Sequence, residues 1–312
     1  MNESKELVII GAGPSALTAA IYTAREDIDS TLYEKQTIGG LAAITDMIDN
    51  YPGFPDGIEG LKLSEQLEKQ AQRFGAHVDF GEASNLKLDG KDKIVEIDGA
   101  EVRAKAVLIA TGSDYKKLGI PGEAELYGRG VHYCATCDGA FYRDQSLVVI
   151  GGGNSAVQET IFLTRFATHI DLLVRSSIKA SEVLQKDLQR FIDSGKVTVH
   201  LGVNPEAILH DGGKFTAVKV TENGASKEYK ADGVFIFIGL VPNTQFLAGS
   251  GVELDEVGLV KINDRMETNL AGVFASGDVR SKNTAQIASA VGDGATAALS
   301  IREYLDERAR EE

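Results

Sequence analysis

The architecture of this chain follows from one short segment, Leu7-Val8-Ile9-Ile10-Gly11-Ala12-Gly13-Pro14-Ser15-Ala16. Its apolar, β-branched start is typical of a buried parallel strand, and the Gly-x-Gly-x-x-Ala turn opens an apolar-periodic helix that we expect to end near Arg25. In such a turn the first glycine permits the bend, the second lets a pyrophosphate approach the helix N-terminus, and the alanine keeps helix and strand close. The segment therefore predicts a nucleotide-binding strand-turn-helix unit.

An acidic residue follows at the spacing that this kind of unit requires. Residues 30–33 form a second predicted strand, which ends in Glu34. Glu34 stands 23 residues after Gly11, close to the spacing of ~20 at which a carboxylate accepts hydrogen bonds from ribose hydroxyls. Strand, glycine turn, helix and acid in register favour dinucleotide binding over an ordinary strand-to-helix turn.

The same pattern occurs a second time in the middle of the chain. Residues 146–150 form an apolar run, and Gly151-Gly152-Gly153-Asn154-Ser155-Ala156 follows it and begins another predicted helix. We expect a further strand over 170–174 and a late one over 233–238, which ends at Gly239. This internal repeat predicts an α/β protein with two Rossmann-like dinucleotide-binding domains.

The second nucleotide site differs from the first at its ribose end. The position that corresponds to Glu34 is Val174, which offers no carboxylate. Arg175 and Lys179 follow, and two cations there suit a 2′-phosphate, which favours NADPH over NADH; a solvated loop is the alternative interpretation. The candidate contacts of this site are Gly151, Gly153, Asn154, Ser155, Arg175, Lys179 and Gly239.

The only two cysteines of the 312 residues lie in Cys134-Ala135-Thr136-Cys137, before the second glycine turn. A structural cross-link over so short a loop would remove little entropy from the unfolded chain. A zinc site lacks a second cysteine pair, and His132 alone leaves a tetrahedral metal short of a ligand, so we expect no metal. We favour a reversible redox disulfide. Asp138, which follows directly, is either the acid that protonates a leaving thiolate or an ordinary turn residue.

The composition restricts the partners. The formal charge of −14 makes nucleic acid and anionic membranes poor partners, because the mean field repels both. No apolar run approaches the ~18 residues that span a bilayer, and the first six residues lack the pattern of a secretory signal. We therefore expect a cytoplasmic protein, and in that compartment a lone Cys-x-x-Cys pair is typically catalytic.

The remaining segments complete the predicted architecture. Alternating residues near 76–103 suggest a small antiparallel sheet, and residues 106–110 form a buried strand that leads into Thr111-Gly112. The run 271–276 predicts another strand, after which Asp278 either bonds a ribose or ribityl hydroxyl or simply forms the turn. We expect a helix from about Gln286 to Leu305, followed by a charged, frayed tail.

These motifs together resemble those of the low-molecular-weight thioredoxin reductases of bacteria and archaea. The likeness spans nearly the whole chain, and its most specific part is the cysteine box directly before the second glycine motif. The motifs that stand in the family's order are the first glycine turn, Asn50-Tyr51-Pro52-Gly53-Phe54, Ala110-Thr111-Gly112, Cys134-Ala135-Thr136-Cys137-Asp138-Gly139, the second glycine turn and Gly277-Asp278.

The resemblance implies an FAD-binding domain of residues 1–115 and 246–312, with an NAD(P)H-binding domain of residues 116–245 inserted into it. It implies that Cys134 and Cys137 are the redox pair, that Asp138 is the acid, and that the protein is a homodimer that reduces thioredoxin or a similar protein. The FAD contacts that it implies are Gly11, Ala12, Gly13, Pro14, Ser15, Ala16, Glu34, Gly40, Leu41, Asn50, Ala110, Thr111, Gly112, Gly277, Asp278, Gln286 and Ile287.

Three positions depart from the family pattern. The family reads the 2′-phosphate with His-Arg-Arg and a further Arg, whereas this chain has Val174-Arg175-Ser176 with Lys179, so half of that clamp is missing. The usual Gln after the Gly-Gly pair is Leu41, and the usual basic residue before Gln286 is Ala285. Three hypotheses follow: an NADPH-dependent thioredoxin reductase; the same disulfide chemistry with NADH, reduced ferredoxin or a second bound FAD as donor; and a flavin-bound redox sensor.

Overall fold

The computed structural model describes residues 4–45, 47–48 and 50–311; residues 1–3, which the signal-sequence argument used, lie outside them. The strands are β1 (Lys5–Ile10), β2 (Ser30–Glu34), β3 (Met47–Ile48), β4 (Ile58–Glu59), β5 (His77–Phe80), β6 (Ala83–Asp89), β7 (Asp92–Ile97), β8 (Ala100–Ile109), β9 (Ser113–Tyr115), β10 (Val131–His132), β11 (Ser146–Ile150), β12 (His169–Val174), β13 (Val197–Leu201), β14 (Val203–Asp211), β15 (Lys214–Glu222), β16 (Ala225–Lys230), β17 (Gly233–Ile236), β18 (Leu240–Pro242) and β19 (Val273–Ala275). The α-helices are α1 (Pro14–Ala24), α2 (Gly60–Arg73), α3 (Ala135–Asp138), α4 (Asn154–Leu163), α5 (Glu182–Asp193) and α6 (Ile287–Glu311).

The chain divides into two compact units. The first combines the residues up to Asp114 with those from Val241 onward, and the second is Tyr115–Leu240. Each of the four clusters of buried apolar side chains lies within a single unit, so each unit has a core of its own. The second unit contains 14 Lys and Arg and 14 Asp and Glu residues, and the formal charge of −14 therefore belongs to the first unit.

The first unit is built on a seven-stranded sheet with the order β5-β2-β1-β8-β7-β6, in which β19 also pairs with β8. β1 pairs in parallel with β2 and with β8, and β19 runs parallel to β8. The apolar residues of β1 are buried on both faces of the sheet: Leu7 and Ile9 pack in a cluster with α1, α2 and α6, whereas Val8 and Ile10 pack in a cluster with β6, β7 and residues 247–279. Since parallel strands end at the same edge, the turns after β1, β2, β8 and β19 meet there.

The structure differs from the prediction at two places in the first unit. β8 runs without a break over Ala100–Ile109, so the antiparallel strands β6 and β7 extend the main sheet and do not form a separate small one, while β5 pairs in parallel with β2. The predicted frayed tail is wrong as well, because α6 continues to Glu311. The guanidinium of Arg308 is buried and donates to Asp92 Oδ1 at 2.5 Å and to the Lys91 carbonyl at 2.9 Å, which fixes the last turns of the helix.

The second unit contains a five-stranded parallel sheet, β10-β17-β11-β12-β13, and a three-stranded antiparallel sheet, β14-β15-β16. β10 and β11 both run parallel to β17, so their carboxyl ends share one edge. The cysteine pair follows β10 and the second glycine turn follows β11. The topology thus places both motifs at the same edge of one sheet. In the described part of the chain, no helix has the length and apolar character needed to cross a membrane.

Candidate active site

The first glycine turn is shaped by two close approaches. Gly11 has a φ of 104°, and a Cβ there would lie 2.5 Å from the Ala110 carbonyl oxygen, so only glycine fits. A Cβ on Gly13 would meet no atom within 4 Å, which leaves open space above the start of α1. Gly13 provides no side-chain cap for that helix. The first N–H groups of α1 and the positive end of its dipole can therefore receive a phosphate.

Glu34 is buried at the carboxyl end of β2 and directed at the glycine turn. Its Oε2 accepts a hydrogen bond from the Ala12 N–H at 2.8 Å, and its Oε1 accepts from the Gln36 N–H at 2.9 Å. Each carboxylate oxygen retains a further lone pair for a ribose hydroxyl. The carboxylate is therefore already oriented for that contact.

The segments after β8 and β19 meet the glycine turn at the same edge of the sheet. Ser15 Oγ donates to Ser276 Oγ at 2.7 Å, and a Cβ on Gly277 would lie 3.0 Å from the Ser15 side chain. Thr111 is held by Asn243, whose backbone carbonyl accepts from Thr111 Oγ1 at 2.7 Å and whose amide donates to the Thr111 carbonyl at 3.0 Å. Residues more than 250 positions apart in the chain thus form one cradle around the start of α1.

Asp278 lies in this cradle with a free carboxylate. Ser113 Oγ donates to the Asp278 backbone carbonyl at 2.9 Å, but within the described residues the carboxylate itself makes no hydrogen bond. Burial, with the nearby charge of Asp293, raises the pKa of Asp278 to about 6, although Arg280 lowers it. A half-buried carboxylate that has no hydrogen-bond partner among the described residues fits a ligand that brings hydroxyl groups.

The segments 38–45 and 50–55, with the start of α6, contribute the remaining predicted contacts of the first unit. Asn50 Nδ2 donates to Gln286 Oε1 at 3.0 Å, which brings together two predicted contacts that are 236 positions apart. Gly40 packs close to the glycine turn, since a Cβ on it would lie 3.9 Å from Gly13 Cα. Leu41 follows in the same short 3₁₀ helix and is half-buried, and Ile287 is the first residue of α6.

FAD fits the donor set of the first unit. An open helix start suits its pyrophosphate, Glu34 suits a ribose, and the free carboxylate of Asp278 suits a ribityl hydroxyl. The cradle formed by Gly11, Gly13 and Gly277 keeps side chains out of the space that the cofactor would need.

The second glycine turn has the same backbone shape as the first, but it lacks a carboxylate at the position where a ribose would bind. Gly151 has a φ of 150°, and a Cβ there would collide with the Phe237 carbonyl, while a Cβ on Gly153 would meet nothing within 4 Å. A Cβ on Gly152 would lie 2.7 Å from the buried side chain of Val174. An apolar side chain thus stands at the position where the first unit has Glu34.

The loop after β12 is hydrogen-bonded to the second glycine turn and to the start of α4. The Lys179 N–H donates to the Gly152 carbonyl at 2.6 Å, and the Ser181 N–H donates to Asn154 Oδ1 at 2.8 Å. Arg175 and Lys179 are exposed, as are Ser155 and Ser176. Gly239, which ends the strand region beside this turn, has a φ of 115°. The two cations therefore belong to a fixed loop next to the open helix start.

Cys134 and Cys137 are joined in a disulfide at the start of α3. Cys134 ends the segment that leaves β10, and its Sγ accepts a hydrogen bond from the Cys137 N–H at 3.2 Å. Both cysteines are partly exposed. A neighbouring N–H bonded to sulfur favours its thiolate form, which is the form that exchanges with disulfides.

Asp138 is connected to the phenol of Tyr142 through His132. Its Oδ2 lies 3.2 Å from Nδ1 of His132, and Nε2 of His132 lies 2.6 Å from the Tyr142 hydroxyl. Burial, together with the charges of Asp138 and Asp232, raises the pKa of Tyr142, so the phenol keeps its proton. The carboxyl is therefore one end of a short series of polar contacts, Asp138 to His132 to Tyr142, of which the second is a hydrogen bond.

Two titratable residues of the second unit lie outside the predicted site residues. His132 was considered only as a metal ligand, and its contacts with Asp138 and Tyr142 depend on how β10 and α3 fold. Glu159 lies on α4, and burial raises the pKa of its carboxyl. Its position, one turn into the helix after the second glycine motif, is a signal that the sequence does contain. Among the described residues, no group of three or more His, Cys, Asp or Glu side chains is arranged to hold a metal ion.

Comparison with known proteins identifies one family. The profile of the pyridine nucleotide-disulphide oxidoreductases matches residues 5–294. The thioredoxin reductase of Bacillus subtilis (strain 168) is 42% identical, over 98% of this chain and 97% of the relative. The crystal structure of thioredoxin reductase from Streptococcus pyogenes MGAS5005 superimposes with a TM-score of 0.91 at 37% identity, covering 98% of this chain and 100% of that one. Thioredoxin reductase from Giardia duodenalis gives 0.90 at 28% identity, over 98% and 100%. These likenesses confirm the predicted fold class.

Proposed function

Since the chain belongs to the pyridine nucleotide-disulphide oxidoreductase family, and within it to the low-molecular-weight thioredoxin reductases, we propose that it reduces the disulfide of thioredoxin or a similar protein with electrons from NADPH. The enzyme is a flavin-dependent oxidoreductase with FAD as its cofactor. The observation that supports this proposal most is the Cys134–Cys137 disulfide beside a held carboxyl, in a chain with two nucleotide-binding glycine turns.

In the first unit the residues bind and orient the cofactor, which when bound supplies the two-electron chemistry between nucleotide and disulfide. The start of α1 would hold its pyrophosphate, Glu34 a ribose, and Asp278 a ribityl hydroxyl. The hydrogen bond between Asn50 and Gln286 joins the loop to the start of α6 and so closes the cradle.

In the second unit the residues carry out the thiol chemistry. When the bond between Cys134 and Cys137 breaks, one sulfur leaves as a thiolate and needs a proton, and Asp138 is the acid that we assign to this step. The resulting dithiol exchanges with a partner's disulfide through a mixed disulfide, because a thiolate attacks one sulfur and expels the other.

The fixed loop after β12 supports NADPH as the donor. Arg175 and Lys179 place two cations beside the open helix start, where a 2′-phosphate of NADPH would lie. The same disulfide chemistry with NADH, reduced ferredoxin or a second FAD is the second candidate. Val174 and Ser176 favour it, because they stand where the family has His and Arg.

The proposal includes a homodimer and a cytoplasmic location. A dimer is the state that the family resemblance implies. A reducing compartment suits a lone Cys-x-x-Cys pair that must cycle between disulfide and dithiol. The second unit has no net charge, so its mean field does not repel an acidic partner protein.

Anaerobic mixing with NADPH and with NADH tests the donor. We expect NADPH to bleach the flavin absorbance near ~450 nm rapidly, and the reduced enzyme to reduce thioredoxin. Replacing Arg175 and Lys179 by Ser should raise the KM for NADPH about tenfold or more while the KM for NADH stays constant. Lys186→Ser, an exposed lysine on α5, is the control. Faster bleaching by NADH, or none by either nucleotide, would favour the second candidate.

A further inference from the structure

His132 is placed to act on the dithiol through Asp138. It is the last residue of β10, its side chain is only 6% exposed, and its ring stacks on Phe235 at a centroid distance of 5.1 Å. Only two polar contacts of the ring are present in the described residues, Nδ1 to Asp138 Oδ2 at 3.2 Å and Nε2 to the Tyr142 hydroxyl at 2.6 Å. The ring therefore connects the carboxyl to one phenol.

Tyr142 does not take up a proton from His132. Tyr142 is partly buried, and a Cβ on Gly233 would lie 2.8 Å from its hydroxyl oxygen, so the ring packs tightly there. A phenol that keeps its own proton can accept a hydrogen bond from Nε2–H, but it does not take up that proton. A proton on His132 can therefore leave only through Nδ1, toward Asp138.

Few other titratable groups surround the contacts between Asp138, His132 and Tyr142. Tyr127 is close enough to feel the charge of Asp138, and burial together with that charge raises its pKa. Asp232 acts on Tyr142 in the same way. Neither residue is hydrogen-bonded to Asp138 or to His132, so the histidine is the one base in contact with the carboxyl in the described structure.

We propose that His132 is the positioning residue of Asp138: it orients this carboxyl and returns a proton to it whenever the Cys134–Cys137 disulfide is reduced. Two electrons break the S–S bond, one sulfur takes the proton of Asp138, and the other remains a thiolate. The Nδ1 proton of the His132 imidazolium then passes to the Asp138 carboxylate, and a neutral imidazole remains whose Nε2–H contacts the Tyr142 hydroxyl. When a partner's disulfide oxidises the dithiol, the thiol proton returns along the same path. The inference rests on the proposed function for the role of Asp138 and the source of the electrons.

Dithiothreitol provides a test that needs neither donor nor partner protein. Its thiolate attacks one sulfur of the holoprotein's disulfide, the second sulfur leaves and takes the proton, and the other thiol of the reagent completes the exchange. Dithiol formation is followed by quenching with a maleimide mass tag between pH 6 and 9. The ratio of variant to wild-type rate at each pH cancels the ionisation of the reagent itself.

His132→Asn keeps a donor near the position of Nδ1 but cannot release a proton, so it separates orientation from proton return. We expect it to react roughly tenfold more slowly than wild type at pH 8, with the difference disappearing toward pH 6, where solvent supplies protons. His132→Ala should be slower still and should be partly rescued by added imidazole. His169→Asn, a histidine of the same unit that lies near Asp171, is the control and should match wild type.

Rates of His132→Asn within twofold of wild type at every pH, or a loss that is equal at every pH and not rescued in His132→Ala, would overturn the proposal. This outcome is independent of the donor experiment. Failure of both nucleotides to bleach the flavin would remove the NADPH assignment and leave the dithiothreitol result as it stands.

Discussion

The environment of Asp278 favours the binding of a ligand that donates a hydrogen bond. Its pKa of about 6 in the folded protein lies above the ordinary value of 3.8, first because of burial and then because of Asp293. The protonated form is thus favoured in the folded state. Stability from this group is fully present below about pH 4 and is lost as the pH rises through about 6. Above that pH the ionised carboxylate can accept a hydrogen bond from a hydroxyl group, while the unfolding free energy of the flavin-free protein is lower.

Asp278→Asn should remove this pH dependence. After the flavin is removed, we expect the unfolding free energy of wild type to fall relative to that of the variant by up to about 3 kcal/mol between pH 4 and pH 7. Urea unfolding at several pH values measures the difference. A difference that does not change with pH would contradict the assigned pKa.

Ala285, which stands where the family has a basic residue, has a left-handed backbone with a φ of 51°. A side chain in this region costs roughly 1 kcal/mol, which glycine avoids. We therefore expect Ala285→Gly to raise the unfolding free energy by about 0.5–1 kcal/mol. Ala309→Gly, in the exposed part of α6, is the matched control and should lower it by about 1 kcal/mol. Two changes of the same sign would contradict the backbone argument.

At the scale of single residues, the sequence predicts which side chains have the right chemistry but not which of them meet. Glu34 and Gly11 are related by a spacing within one strand-turn-helix unit, so a pattern can find them. Asn50 and Gln286 are 236 positions apart, and their hydrogen bond exists only because the sheet brings their loops together. The contact between His132 and Asp138 likewise depends on the short turn into α3.

At the scale of elements, the end of α6 shows why the local sequence pattern does not predict where a helix near a chain terminus ends. A run of charged residues such as 306–311 indicates a solvated tail when it is considered alone. In the structure Arg308 reaches Asp92 and the backbone carbonyls of Lys91 and Lys105, which lie in β7, in the turn before it and in β8, more than 200 positions earlier. Long-range partners of this kind stabilise a helix end that its own sequence does not.

Arg308→Met should therefore destabilise the first unit. The change leaves the Asp92 carboxylate and the carbonyls of Lys91 and Lys105 with fewer partners, and we expect a loss of about 2–4 kcal/mol in unfolding free energy. Arg310→Met, in the same turn but exposed, should change it by less than about 0.5 kcal/mol. Equal effects of the two substitutions would show that Arg308 does not hold the helix end.

At the scale of the whole molecule, the division into two units separates the predicted roles. The first unit holds the FAD-like cradle and all of the net charge, while the second holds the dithiol and the second glycine turn. Two glycine motifs in one chain are visible in the sequence, which is why the two-domain fold can be predicted. The continuous strand β8 cannot be predicted in the same way, because the alternating polar and apolar residues near 76–103 and the buried run at 106–110 indicate separate strands.

The second unit should fold alone, because its buried clusters contain no residue of the first. A chain of residues 115–240 should show a cooperative unfolding transition and a disulfide that dithiothreitol reduces at a rate within about threefold of the rate in the full chain. Circular dichroism and maleimide tagging measure the two properties. A non-cooperative transition would mean that the second unit needs the first for its core.

The central claim is that the flavin and the Cys134–Cys137 disulfide of one chain exchange electrons. Anaerobic titration with dithionite counts these electrons directly. Wild type should take up about four electrons per bound FAD before the flavin is fully bleached, two for the flavin and two for the disulfide. The Cys134→Ser/Cys137→Ser double variant should take up about two. An uptake of about two electrons by both proteins would contradict the account, because the disulfide would then lie outside the path of the electrons.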